Sequence, residues 1–232
     1  MIKIRYSKDR GYADHNWLIA KHSFSFANYH DPDFMGFRSL RVINEDRIQA
    51  SKGFGTHPHE NMEIITYIIS GQLSHKDSMG NGDTIHKGEI QTMSAGTGIQ
   101  HSEFNDSLTD EVHLIQIWLE PNKNNISPSY NQQNYSNKLV NNELLLLASP
   151  DQQRGSLKIN QDVYLYTGKL DAQKSIQYTL EENRFGWLQL INGELLINDH
   201  KMEAGDGCQI SEENVLVISA NQASEFIFFD LN

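Results

Sequence analysis

Ile64-Ile65-Thr66-Tyr67-Ile68-Ile69-Ser70-Gly71-Gln72-Leu73-Ser74-His75-Lys76-Asp77-Ser78 decides the fold class. Its first six residues are β-branched or aromatic, the composition of a strand. Ser70-Gly71 is a turn signal, and Gln72 to Ser78 follows as a polar alternating stretch, so the segment is expected to be a β-hairpin. Met79-Gly80-Asn81-Gly82-Asp83 supplies a second turn, its glycines offering positive φ. Val112 to Leu119, Gly186 to Ile191, Glu194 to Asn198, Val215 to Ala220 and Glu225 to Leu231 share the strand composition. Long amphipathic helical periodicity is absent. The expected class is all-β, a sandwich or barrel.

The 232 residues suffice for one large β domain or two small ones. Between about Pro121 and Asn142 the chain is loaded with turn formers and poor in apolar residues, as a crossing between two β units would be. The expected division is residues 1–125, a linker at 126–142, and residues 143–232. The second unit repeats the texture of the first. Trp187 to Ile191, Asn192-Gly193 and Glu194 to Asn198 parallel Ile65 to Ile69, Ser70-Gly71 and Gln72 to His75, which indicates an internal duplication. The net charge is -11, with Lys and Arg scattered singly, which disfavours direct binding to nucleic acid or to an anionic membrane. Cys208 is the one cysteine, so no intrachain disulfide forms, and its expected place is a buried apolar position. Met1 to Arg10 lacks the apolar stretch of a signal peptide and no run reaches the length of a membrane span. A soluble cytoplasmic protein, most simply a monomer, is expected.

Two couplets carry the chemistry: His57-Pro58-His59 and His101-Ser102-Glu103. Each places two metal-capable side chains at i and i+2, the same face of a strand. His57 to His101 and His59 to Glu103 are each 44 positions apart, which lets two strands meet across a sheet or barrel. Three imidazoles and a carboxylate converging on one point suit a divalent transition metal with coordination positions left open. Gly53 and Gly55 before the first couplet, and Gly96 and Gly98 before the second, permit close backbone approach. Glu63 shares strand parity with His57 and His59, and spacing alone does not choose between Glu63 and Glu103. His75 and His113 are expected in strands, either in the cavity wall or in structural hydrogen bonds. His15, His22, His30 and His86 are expected to be structural or exposed. Nine of the ten histidines lie at or before His113, and the positions matching His57 and His59 in the second unit are Thr179 and Glu181, so the metal belongs to the first unit alone.

Gly53-x-x-x-His57-x-His59-x-x-x-Glu63 followed by Gly71, and Gly98-x-x-His101-x-x-x-Asn105, resemble the two motifs of the cupin superfamily, with Gly96 where a proline is usual. His22 to Tyr29, Gly55 to His59, His75 to Gly80 and Met93 to Glu103 resemble the pirin family, and its bacterial quercetin 2,3-dioxygenase-like branch in particular. The resemblance implies a bicupin: two antiparallel β-barrels of jelly-roll type packed face to face, with metal in the N-terminal one only. It implies His57, His59, His101 and Glu103 as ligands, which leaves Glu63 to orient a histidine. It also implies one divalent metal, Fe(II) first, with Mn, Co, Ni, Cu and Zn as the other candidates.

The activity implied is dioxygenation of a flavonol such as quercetin, with ring cleavage and loss of carbon monoxide. Glu103 would be the general base toward the substrate 3-hydroxyl. Phe54, Ile99 and Trp118 are expected either to wall a cavity for a flat aromatic substrate or to belong to the ordinary barrel core. The alternative is a metal-containing, redox-sensitive regulatory protein that acts through a protein partner, as the resemblance to eukaryotic pirin suggests.

Overall fold

The computed structural model describes residues 1–232 as strands joined by turns, with two single-turn 3-10 segments, Ser7–Asp9 and Gln153–Gly155, and no α-helix. The first strands in chain order are β1 (Ile2–Arg5), β2 (Gly11–Asp14), β3 (Leu18–His22), β4 (Leu40–Ile48), β5 (Lys52–His59), β6 (Glu63–Ser70), β7 (Gln72–Asp77), β8 (Gly82–His86), β9 (Glu89–Ser94), β10 (Ile99–Asn105), β11 (Val112–Leu119) and β12 (Ser129–Asn134). They are followed by β13 (Leu144–Ser149), β14 (Leu157–Lys158), β15 (Val163–Leu170), β16 (Ser175–Thr179), β17 (Phe185–Asn192), β18 (Glu194–Ile197), β19 (His200–Glu203), β20 (Gly207–Ile210), β21 (Val215–Ala220) and β22 (Ser224–Leu231). No helix is long and apolar enough to cross a membrane.

The chain forms two compact units. One comprises Gly11–Ser136 with Leu157–Gln161, the other Met1–Arg10, Asn137–Ser156 and Asp162–Asn232. In the first, a seven-stranded sheet runs β12-β9-β6-β11-β4-β3-β2 and a four-stranded sheet runs β5-β10-β7-β8. Leu18, Ile48, Ile68 and Leu114 of the larger sheet pack on Leu73 and Ile85 of the smaller to make the core between them. Two facing antiparallel sheets make a jelly-roll sandwich. The expected closed barrel is thereby refined: the ladders end at β12 and β2 in one sheet and at β5 and β8 in the other, so neither sheet closes on itself.

The expected hairpin at Ser70-Gly71 is a different structure. β6 pairs with β9 and β11, whereas β7 pairs with β8 and β10, so the chain changes sheet at this corner. The two strands differ in burial accordingly. Residues 63–68 of β6 are all buried, as in a strand covered on both faces, while β7 alternates. Gly71 makes the corner at φ +79, and an added Cβ would meet the Glu111 carbonyl oxygen at 2.7 Å. The hairpin lies one turn later, where residues 78–81 join β7 to β8.

The second unit repeats this plan, except that β2 has no counterpart in it. In its larger sheet β1, β20, β17, β22, β15 and β13 are neighbours in that order, and its smaller sheet runs β16-β21-β18-β19. β17 and β18 again lie in different sheets, and Gly193 turns the corner at φ +86. The position that β12 fills in the first unit is taken in the second by β1, the N-terminal strand. Leu188, Leu190, Phe226 and Phe228 of the larger sheet pack on Leu195, Leu216 and Ile218 of the smaller, with Cys208 fully buried among them. Thr179 ends β16, the counterpart of β5, so the second unit has no histidine pair in that position.

Candidate metal centre

β5 and β10 are antiparallel neighbours, with Ile99 opposite His59, Gln100 opposite Pro58 and His101 opposite His57. The register then slips so that Glu103 faces Phe54, which leaves an extra residue of β5 at Gly55-Thr56. The bulge turns Phe54 and His57, three residues apart, toward the same cavity. Gly53 lets the strands close, since a Cβ there would lie 2.2 Å from the Glu103 carbonyl oxygen.

The His57, His59 and His101 rings converge, with centroids 4.5 to 4.8 Å apart. One ring nitrogen from each lies within 4.8 Å of the others. His57 Nδ1 is 2.8 Å from the Gly55 carbonyl oxygen, which can only accept, so Nδ1 carries a proton and Nε2 is the nitrogen through which the neutral ring would hold a metal. His101 is buried, and its Nε2 has no hydrogen-bond partner in the protein. Burial first, then the neighbouring His57, brings the His59 pKa down to about 4. Burial and the surrounding imidazoles bring His101 to about 3. Both rings are neutral lone-pair donors at neutral pH. Neutral imidazoles aimed at one point, one ending in an unpartnered buried nitrogen, fit a divalent transition ion.

Glu103 is buried beside His101 and His75, and its carboxylate forms a second cluster with them. Gln116 Nε2 donates to both of its oxygens, at 2.8 and 3.0 Å. Burial pushes the Glu103 pKa up, against the Gln116 bond and the adjacent His75 and His57. Glu63 is engaged elsewhere. It accepts from Ser94 Oγ at 2.8 Å and from the Asn160 backbone N–H at 2.9 Å, so it anchors the segment 157–161 rather than orienting a histidine.

A cavity of about 430 Å³ opens beside His57, His59 and Glu103. Trp17, Phe26, Phe54 and Trp118 supply its aromatic wall, and His22, Asn44, Asp46 and Gln116 its polar one. Phe54 and Trp118 are where the sequence places them. Ile99 takes the core alternative, in a cluster with Ile64, Met93 and Ala95. His22, expected to be structural or exposed, lines the cavity and bonds Asn44 Oδ1 at 2.8 Å through Nδ1. His113 pairs with Glu45 at 2.9 Å. The polar wall went unread, yet it left a signal: Gln116 interrupts an otherwise apolar Leu114-Ile115-Gln116-Ile117-Trp118, and Asn44 and Asp46 share a strand face.

Residues 3–119 match the family described as Pirin, and residues 146–231 match the quercetinase C-terminal cupin domain. A quercetin 2,3-dioxygenase of Escherichia coli (strain K12) is 47% identical over 231 residues, covering 100% of this chain and 99% of that one. A pirin-like protein of Caulobacter vibrioides is 37% identical, with 95% of each chain covered. The crystal structure of the bacterial pirin YhhW from Escherichia coli in complex with nickel(II) superposes with a TM-score of 0.95 at 46% identity, over 100% of this chain and 99% of that one. With both jelly-roll units accounted for by these matches, this chain belongs to the pirin family of cupins.

Proposed function

We propose that this chain is a metal-dependent dioxygenase that opens the central ring of a flavonol such as quercetin with loss of carbon monoxide. The observation that carries the reading is a cavity with His57, His59 and the buried Glu103 on one side and an aromatic wall on the other, with the His101 ring converging on the two histidines. Relatives named quercetin 2,3-dioxygenase and a nickel(II)-bound pirin support it. The ligands are His57, His59, His101 and Glu103, for one divalent ion per chain, with Fe(II) the first candidate. When bound, that ion supplies Lewis acidity toward the substrate hydroxyl and a meeting point for substrate and dioxygen.

The remaining work falls to the side chains. Trp17, Phe26, Phe54 and Trp118 hold flat rings and exclude water from the cavity. A Glu103 oxygen takes the proton of the 3-hydroxyl, a task suited to a carboxyl whose pKa burial has raised. Gln116, bonded to both oxygens, holds that carboxylate in place.

Anaerobic loading with each candidate metal, metal analysis, then oxygen uptake and carbon monoxide release on adding quercetin tests the reading. The expected result is coupled, metal-dependent uptake and release, both abolished in His101→Ala together with metal content. Metal binding without uptake or release would overturn the flavonol reading and turn attention to a redox-dependent protein partner. Full metal content in His101→Ala would overturn the ligand assignment.

A further inference from the structure

A chain of buried groups runs from His101 through His75 to Asp77. His75 Nδ1 stands 3.4 Å from His101 Nδ1, and His75 Nε2 stands 3.3 Å from Asp77 Oδ2. The three are paired across the smaller sheet, where His101 is opposite Asp77 and Glu103 opposite His75. All are buried, and the His75 and Asp77 side chains are fully so. Asp77 is held hard: its Oδ1 accepts from the backbone N–H of Met79 at 2.9 Å and of Asn81 at 3.0 Å, and its Oδ2 from Asn81 Nδ2 at 2.8 Å. The Tyr130 ring stacks on the His75 ring at 4.7 Å and fixes its plane.

The proton positions in this chain follow from donor and acceptor logic. Burial alone would raise the Asp77 pKa, but the bonds from Asn81, His75 and Met79 outweigh it and keep the carboxyl below its usual range. An ionised carboxylate only accepts, so in the neutral His75 ring Nε2 carries the proton and Nδ1 is left as an acceptor. The hydrogen between the two Nδ1 atoms must then belong to His101. With its proton on Nδ1, His101 presents a bare Nε2, the atom that has no partner in the protein. The opposite tautomer would put a hydrogen on that nitrogen and leave two lone pairs facing each other at 3.4 Å.

We propose that Asp77 and His75 are positioning residues for the metal centre: they lock His101 in the Nδ1–H tautomer and turn its Nε2 lone pair toward the point where His57 and His59 converge. This rests on the metal reading above for its purpose, but not for its geometry. A carboxylate behind a ligand imidazole also raises its basicity, and loss of such a partner weakens metal binding by about 10–100-fold. Asp77→Asn is the informative change. It replaces an obligate acceptor with an amide that can offer N–H to His75, which permits His75 to reverse its tautomer and His101 to follow.

Two readouts test this, and neither is turnover. Long-range 1H–15N spectra of the metal-free, histidine-labelled chain should show His101 protonated at Nδ1, and Asp77→Asn should shift it toward Nε2–H. Nickel(II) affinity, measured by competition with a chelator, should fall at least about tenfold in Asp77→Asn and in His75→Phe. The second variant keeps a ring against Tyr130 and leaves the Asp77 turn intact, so misfolding at that turn cannot mimic the effect. His101 protonated at Nε2 in the unsubstituted chain overturns the proposal without any substitution. Nickel(II) bound as tightly in both variants as in the parent also overturns it, and leaves the metal reading standing. Nδ1–H at His101 in a chain that binds no nickel(II), iron(II) or other divalent metal supports the relay and removes the metal reading.

Discussion

Glu63 shows how a residue's neighbours override its sequence position. By strand parity it competes with Glu103 for a place near the histidines, yet Ser94 and Asn160 take its oxygens. Burial raises its pKa, with the Asn160 and Ser94 bonds opposing. The native state therefore keeps the Glu63 proton to higher pH than the unfolded state does. Its contribution to stability is full below the ordinary glutamate range and is lost as pH rises through the raised native value. Urea melts across pH 4 to 8 should show the unfolding free energy of the parent, relative to Glu63→Gln, falling as pH rises. A rise would mean that the Ser94 and Asn160 bonds outweigh burial. Metal analysis of Glu63→Gln should still return about one ion per chain, because Glu63 bonds none of the histidines.

At the scale of elements, the site depends on one strand pair. β5 and β10 carry His57, His59, His101 and Glu103 between them, and the bulge at Gly55-Thr56 sets which side chains point inward. Two glycines in β5 have different roles. At Gly53 a Cβ would strike the Glu103 carbonyl oxygen at 2.2 Å and Phe104 Cα at 2.6 Å, both backbone, whereas at Gly55 nothing lies within 4 Å. Gly53→Ala should therefore cost about 1–3 kcal/mol by chemical denaturation and weaken nickel(II) binding, because the backbones must part where Glu103 sits. Gly55→Ala should leave both nearly unchanged. Equal effects of the two substitutions would show that the close approach at Gly53 does not hold the site.

For the whole molecule, chain order and unit membership disagree. β1 pairs with β20 in register from Ile2 opposite Ile210 to Arg5 opposite Gly207. Arg10 Nη1 donates to the Gly205 carbonyl, and the Ser7 N–H to Asp206 Oδ1 at 2.6 Å. Ile2 and Ile4 pack on the core of the second unit. Removing residues 1–10 should thus destabilise a unit made mostly of C-terminal sequence. The loss is about 3 kcal/mol from the two isoleucines alone, a fall in Tm of roughly 10 °C. Calorimetry reads that shift, and nickel(II) affinity should stay within twofold, since the histidines belong to the other unit. An unchanged Tm would mean that β1 adds nothing to its sheet.

Much of this protein was legible in its sequence because the signals are local. A strand reveals itself through its own β-branched residues, a two-residue period puts His57 and His59 on one face without any partner, and clustering of the histidines before residue 114 names the unit that carries the site. Pairing is not local. Whether Ser70-Gly71 closes a hairpin or carries the chain between sheets depends on which strands β6 and β7 pair with, and those partners, β9, β11, β8 and β10, lie later in the chain. The polar wall of the cavity, the Asn160 partner of Glu63 and the Asp77–His75 support behind His101 arise from residues brought together across ladders and loops, 2 to 97 positions apart in sequence. Sequence determined the strands and the two histidine-bearing couplets; the tertiary structure decided sheet membership and which side chains Glu63 and Glu103 meet, because each of these is set by a neighbour the chain meets only after folding.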